Sequence, residues 1–231
     1  MKVAASWSGG KDSCFACYKA IQEGYDVMQL LIMMSNKSTS NFHMISAELL
    51  DAQSQAVEIP IIKRVTAPGA YEQVFKKALL QMKAEGVEGI VTGDVYDVAL
   101  HEASWIDRVC NEMGLKSVKP LWHRDTVQII DEFINAGFKA TVVRVKNEVL
   151  GLEWLGRQVN KQFVKDLAKL GTVDPCGERG EYHTVVTDGP LFKSSIEILE
   201  AEKTTLNGYG RLEIKSFKVK LKRKFENERN L

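Results

Sequence analysis

The densest set of chemically able groups in this sequence lies at Ser8-Gly9-Gly10-Lys11-Asp12-Ser13. Paired glycines let a backbone turn tightly and come close to a bound anion. The hydroxyls of Ser8 and Ser13 can donate hydrogen bonds, Lys11 adds a mobile positive charge, and the carboxylate of Asp12 can hold a magnesium ion. A helix starting straight after the glycines would add its free N–H groups and the positive end of its dipole. The segment therefore suits phosphate, the plain alternative being a tight strand-to-helix connection. It departs from the Walker A pattern, which needs glycine where Ala5 stands and Ser or Thr where Asp12 stands. The usual apparatus for releasing a terminal phosphate is thus missing.

A second polar string is Cys176-Gly177-Glu178-Arg179-Gly180-Glu181-Tyr182-His183-Thr184, followed by Asp188-Gly189-Pro190-Leu191-Phe192. It reads as a turn-rich loop entering a strand, with two carboxylates, a phenol and an imidazole close together; its spacing names no substrate. Val91-Thr92-Gly93-Asp94 closes another apolar run, where Asp94 could reach the same magnesium or simply cap a helix. Met33-Met34 ends a strand, where a methionine pair is most simply plain core. Trp7 packs beneath the glycine loop. His43, His101 and Glu102 precede helices and read as site or cap residues, and His123 as ordinary. Cys14-Phe15-Ala16-Cys17 has redox spacing, but at the root of a phosphate loop it reads as small residues packing against a sheet.

These groups need elements to place them. Apolar runs at Lys2–Trp7, Tyr25–Met34, Ile59–Val65 and Val87–Thr92 read as strands, and Asp12–Gly24, Ile45–Ala56, Ala70–Glu85 and a segment ending at Gly114 as helices. Strands apolar on both faces and alternating with helices predict an α/β fold: a doubly wound parallel sheet carrying ligands at the strands' carboxyl ends. The rhythm changes near Pro120. Beyond it, helices at Thr126–Ala136 and Asn160–Leu170 mix with strands at Phe138–Val145, Thr184–Val186, Ser195–Leu199 and Leu212–Leu221, a smaller α+β domain. The expected domains are residues 1–122, which bind nucleotide, and 123–231, which bind substrate.

Composition narrows the class. The 231 residues include 31 Lys plus Arg against 30 Asp plus Glu, a net charge of +1, without the positive field of a dedicated nucleic-acid binder. No apolar run reaches the roughly 20 residues of a membrane span. Four cysteines are too few for a disulfide scaffold, and the N-terminus is strand-like, so the expected compartment is the cytoplasm. The basic stretch Lys218, Lys220, Lys222, Arg223, Lys224 reads as a lysine-guarded edge strand, with an RNA-facing stripe as the alternative.

The Ser8–Ser13 loop resembles that of the N-type ATP pyrophosphatases, the PP-loop superfamily. Together with Gly86-Val87-Glu88-Gly89, Pro120-Leu121-Trp122, Trp154-Leu155-Gly156-Arg157 and Cys176–Phe192, it resembles the diphthine-ammonia ligase family. The resemblance implies ATP cleaved to AMP and pyrophosphate, and amidation of the carboxylate of diphthine, a modified histidine on translation elongation factor 2, with ammonium. It implies ATP contacts at Trp7, Ser8, Gly9, Gly10, Lys11, Asp12, Ser13, Met34, Gly93 and Asp94, and Mg2+ on Asp12 and Asp94. Diphthine carries a quaternary ammonium beside its carboxylate, so Glu178, Glu181 and Tyr182 are expected to line its pocket. Lys11 and Asp12 join Glu178, Glu181 and His183 as catalytic candidates, His183 orienting or shuttling a proton. Stable nucleic-acid or membrane binding is not expected, and homo-oligomerisation stays open. Two other readings share the loop: a tRNA-thiolating enzyme, which needs a catalytic cysteine pair, and an ATP sensor without catalysis.

Overall fold

The structure, a computed structural model, describes residues 1–41, 43–96 and 104–222. The first half alternates β1 (Lys2–Ser6), α1 (Lys11–Gln22), β2 (Asp26–Met34), α2 (Ala47–Val57), β3 (Ile61–Val65), α3 (Tyr71–Ala84), β4 (Gly89–Val91), α4 (Trp105–Met113) and β5 (Lys116–Val118). The five strands form one parallel sheet in the order β3-β2-β1-β4-β5. This is the doubly wound α/β sheet expected. β1 is central and covered on both faces, which is why Val3, Ala4 and Ala5 are buried without polar alternation. The strand order reverses between β2 and β4 on either side of β1, opening a crevice at the carboxyl end of β1 where Ser8–Ser13 lies.

Strand β5 was not expected: Lys116-Ser117-Val118 has only one apolar residue, and its pairing with β4, not its pattern, makes it a strand.

The second half holds α5 (Thr126–Asn135), β6 (Lys139–Lys146), a 3-10 turn at Leu152–Trp154, α6 (Lys161–Leu170), β7 (Tyr182–Asp188), β8 (Ser194–Leu206) and β9 (Tyr209–Leu221). Its antiparallel sheet runs β7-β6-β9-β8. β8 runs on past its expected end and β9 starts before its expected beginning, because cross-strand pairs such as Thr204 with Arg211 and Thr205 with Gly210 continue the ladder through polar sequence.

Packing does not pause at the expected boundary. Phe15 of α1 meets Phe133 of α5 edge-on at 5.9 Å and Phe138 at 6.0 Å, and one apolar core runs from β1 through α5 into β6 and β7. Among the described residues, no helix is long and apolar enough to cross a membrane.

Candidate active site

Between β1 and α1 the chain turns at Gly9, whose φ of +78° is the left-handed conformation glycine tolerates. Gly10 caps α1 and offers no side chain to its N–H groups. The two serines brace the turn: Ser8 Oγ and Ser13 Oγ stand 3.0 Å apart, the Ser8 N–H donates to Ser13 Oγ, and Ser13 Oγ donates to the Gly10 carbonyl. The first strand's neighbour closes in from one side. A Cβ on Gly93 would lie 2.6 Å from the Asp12 carbonyl carbon and 2.7 Å from Ser13 N, so glycine is what lets the end of β4 approach the first turn of α1.

Sequence reasoning missed Gln53. Its fully buried amide accepts from Trp7 Nε1 at 3.0 Å and donates to the carbonyls of Gly9 (2.9 Å) and Val186 (2.7 Å). Trp7 therefore supports the loop through Gln53, as the reading of a tryptophan packed beneath it foresaw in outline. The available signal was a lone amide among Leu49, Leu50, Ala56 and Val57 on the apolar face of α2.

The second half seals the loop directly. The Val186 N–H donates to the Gly9 carbonyl at 2.9 Å, and the Lys11 N–H to Thr184 Oγ1 at 3.0 Å. The Lys11 ammonium donates to the Asp12 carboxylate (2.8 Å) and to the Cys176 carbonyl, and sits 5.2 Å from the Tyr182 ring centroid. Lys11 is only 4% exposed, so it is a fixed charge and not the mobile one expected. Burial works to lower its pKa, but Asp12, with Tyr182, Cys176 and Glu178, holds it well above the ordinary lysine value.

Of the three residues expected to embrace a quaternary ammonium, two brace their own loop. The buried Glu181 carboxylate accepts from the N–H groups of Asp174 (3.0 Å) and Arg179 (2.9 Å), and the buried Tyr182 hydroxyl donates to the Pro175 carbonyl. Glu178 is half-buried beside the loop. Burial, then Asp12, with Asp174 and Asp94 adding, pushes its carboxyl up to about 8 against the pull of Lys11. Asp94 thus stands within electrostatic reach of Glu178 at the end of β4. Among the described residues, no three His, Cys, Asp or Glu side chains form a ready metal-binding group.

His43 comes to the loop from the segment after β2. The direction of a Gly10 Cβ runs into its ring, 2.3 Å from Cε1, and His43 Nδ1 lies 2.9 Å from the Thr184 carbonyl. A carbonyl can only accept, so Nδ1 carries the proton. Its ring packs 4.8 Å from that of His183. Burial drives His43 down to about 4 and His183 to about 2, the latter also lowered by His43, Arg144 and Lys11. Both are neutral near pH 7.

The other candidates fall elsewhere. Met34 is buried at the end of β2 with its carbonyl engaged by the Thr66 N–H. His123 stacks on Trp122 at 4.7 Å. His101 and Glu102, and Arg223 and Lys224 of the basic stretch, lie outside the described residues. All four cysteines are free and buried, and burial pushes their thiols up, Cys17 to about 12.

A strand, glycine loop and helix at the centre of a parallel sheet, with a second sheet docked on the loop, define a doubly wound α/β protein with a candidate phosphate site. The sequence matches the Diphthamide synthase N-terminal domain over residues 1–117 and the Diphthamide synthase C-terminal domain over residues 125–220. The chain belongs to the diphthamide synthase family. Its relatives include the diphthine–ammonia ligase of Bos taurus, 27% identical over 89% of this chain and 85% of that one. The diphthine–ammonia ligase of Homo sapiens is 28% identical over 87% of this chain and 84% of that one. Among solved structures, a predicted subunit of tRNA methyltransferase from Methanocaldococcus jannaschii aligns with a TM-score of 0.46 and 16% identity, covering 82% of this chain and 98% of that one.

Proposed function

We propose that this chain amidates the carboxylate of diphthine on translation elongation factor 2, using ATP and ammonium and releasing AMP and pyrophosphate. The observation that carries this reading is the meeting of two distant segments. Lys11 of the glycine loop is held by Cys176 and Tyr182 of the second polar string, so the phosphate-binding and acceptor-binding halves share one site. Family membership of both halves and the names of the relatives support diphthine and ammonia as the reactants.

A carboxylate is a poor electrophile. Transfer of AMP onto it makes a mixed anhydride that ammonia can attack, with pyrophosphate and then AMP leaving. The uncapped first turn of α1 and Lys11 fit the negative charge that develops on the departing phosphates. Asp12 and Asp94 are the residues that would hold magnesium, their carboxylate oxygens suiting a hard cation. Neutral His183 and His43 orient groups near the loop without adding charge. Residues 1–122 serve as the nucleotide-binding domain and 123–231 as the acceptor-binding domain, the acceptor being a cytoplasmic protein. The buried, raised thiols offer a tRNA-thiolation reading no nucleophile among the described residues.

The test is incubation with ATP, ammonium and diphthine-bearing elongation factor 2, followed by measurement of AMP and of the factor's mass. AMP formation with conversion of the carboxylic acid to the amide, a loss of about one mass unit, is expected. ADP as product, or AMP that requires tRNA and a sulfur donor, refutes the reading.

A further inference from the structure

A cavity of about 220 Å³ lies between the segment that carries His43 into α2 and the strands β6 and β9. Val143, Arg211 and Glu213 line its sheet wall; His43, Ser46 and Leu49 line the other. His43 both lines the cavity and lies against Gly10, so it is where cavity and loop meet.

A β-bulge shapes the sheet wall. Val142 pairs with Thr184, and regular pairing would then set Val143 opposite His183 and Arg144 opposite Tyr182. The register slips by one at Val143, so Arg144 instead pairs with His183, and across the next ladder Arg144 pairs with Arg211. One row across three strands therefore reads His183, Arg144, Arg211, and bulges commonly re-aim side chains in this way next to active sites.

Two guanidinium groups side by side repel, and the fold keeps them there. Arg144 stacks on Tyr209, its Cζ 3.9 Å from the ring centroid, and both burial and Arg211 lower its pKa. The buried Arg211 Nε has no hydrogen-bond partner. Glu213, the acid on the same wall, gives its hydrogen bonds to Lys215 (2.6 Å) and Thr204 (3.3 Å) and meets Arg211 only through charge. A buried N–H left without an acceptor is costly, and the planar guanidinium fork matches a carboxylate.

We infer that Arg211, beside Arg144 and His183, holds the carboxylate of the acceptor side chain in this cavity. The assignment rests on the amidation reading and deepens it. The cavity is smaller than the roughly 300–1,000 Å³ of pockets that enclose a drug-sized ligand, so it takes a side chain and not a whole nucleotide. Phosphate is provided for at the adjoining loop, by Lys11 and the first turn of α1. Keeping the acceptor carboxylate ionised beside a cation preserves the nucleophile that must attack phosphorus. In this arrangement Arg211, in the strand row of Arg144 and His183, takes the acceptor carboxylate in place of Glu181 and Tyr182.

Two measurements test the assignment on the full chain. In the first, glycine betaine, which carries a quaternary ammonium beside a carboxylate, is titrated while the Arg211 Nε–H resonance is followed. A saturable shift is expected, and the matching betaine-induced shifts of the Val143 and Glu213 backbone amides should be lost in Arg211→Gln; no shift, or a shift produced by ATP alone that betaine cannot alter, overturns the carboxylate site. In the second, steady-state amidation is compared in wild type, Arg211→Lys and Arg211→Gln. The acceptor KM should rise about tenfold or more in Arg211→Gln and less in Arg211→Lys, with the KM for ATP unchanged. An unchanged acceptor KM, or an equal rise for ATP, overturns the assignment. Thermal melts identify a variant that has simply lost its fold, in which case Arg211→Lys carries the comparison. If wild type forms no AMP while betaine still binds, the amidation reading falls and the carboxylate site stands.

Discussion

His43 offers a quantitative check on how the loop is closed. Its folded pKa is near 4 against 6.5 for a free histidine, because burial disfavours the charged ring. The unfolded chain therefore binds a proton below about pH 6.5 that the folded chain refuses, and stability must fall as pH drops from 6.5 toward 4. The slope approaches about 1.4 kcal/mol per pH unit, so moving from about pH 7.5 to 5.5 costs about 1.4 kcal/mol through His43 alone. Other groups titrate in the same window. Glu178, raised by its surroundings, works in the opposite sense, since its folded form takes up a proton more readily than the unfolded chain. The assay therefore compares wild type with His43→Gln, which can still donate to the Thr184 carbonyl, by urea unfolding at several pH values. The stability difference between the two should move by about 1.4 kcal/mol in favour of the variant as pH falls to about 5.5. A difference flat to within about 0.3 kcal/mol would mean that His43 is not held in a proton-excluding site against Gly10.

Three further outcomes follow from the same geometry. Lys11→Ala should lower pyrophosphate release by about 10²-fold or more, because it removes the fixed cation at the loop; unchanged turnover in a pyrophosphate assay takes Lys11 out of the chemistry. Gly10→Ala drives a methyl into His43 and should cost about 1–3 kcal/mol, and the double variant Gly10→Ala with His43→Ala should recover much of it in chemical melts. Glu181→Ala strands the Asp174 and Arg179 N–H groups and should cost about 1–3 kcal/mol of stability, with the acceptor KM of the folded protein little changed; a selective rise in that KM would restore Glu181 as a substrate ligand.

Much of the site's ingredients and architecture could be read from the chain alone. The glycine pair followed by Lys11, the departure from Walker A at Ala5 and Asp12, and the alternation of strand and helix are local signals carried by residues a few positions apart. Backbone freedom at glycine and the periodicity of buried side chains act at that range, so the parallel sheet and the place of the loop at its edge were legible. Short, polar Lys116–Val118 was not, because only a neighbouring strand makes it one.

Roles within the site were decided by contacts across long stretches of sequence. Glu181 and Tyr182 carry the chemistry of a cation pocket, yet their carboxylate and hydroxyl are spent on nearby backbone groups of their own loop. Gln53 becomes a pillar of the glycine loop only because α2 brings it beneath Gly9 and Val186. The single-residue slip at Val143 moves Arg144 from the face of Tyr182 to that of His183, and no pattern of hydrophobicity announces it. Residue type sets what a side chain is able to do, but a buried polar group must be matched by whatever the fold brings within about 3 Å, and that partner is known only once the chain has closed on itself.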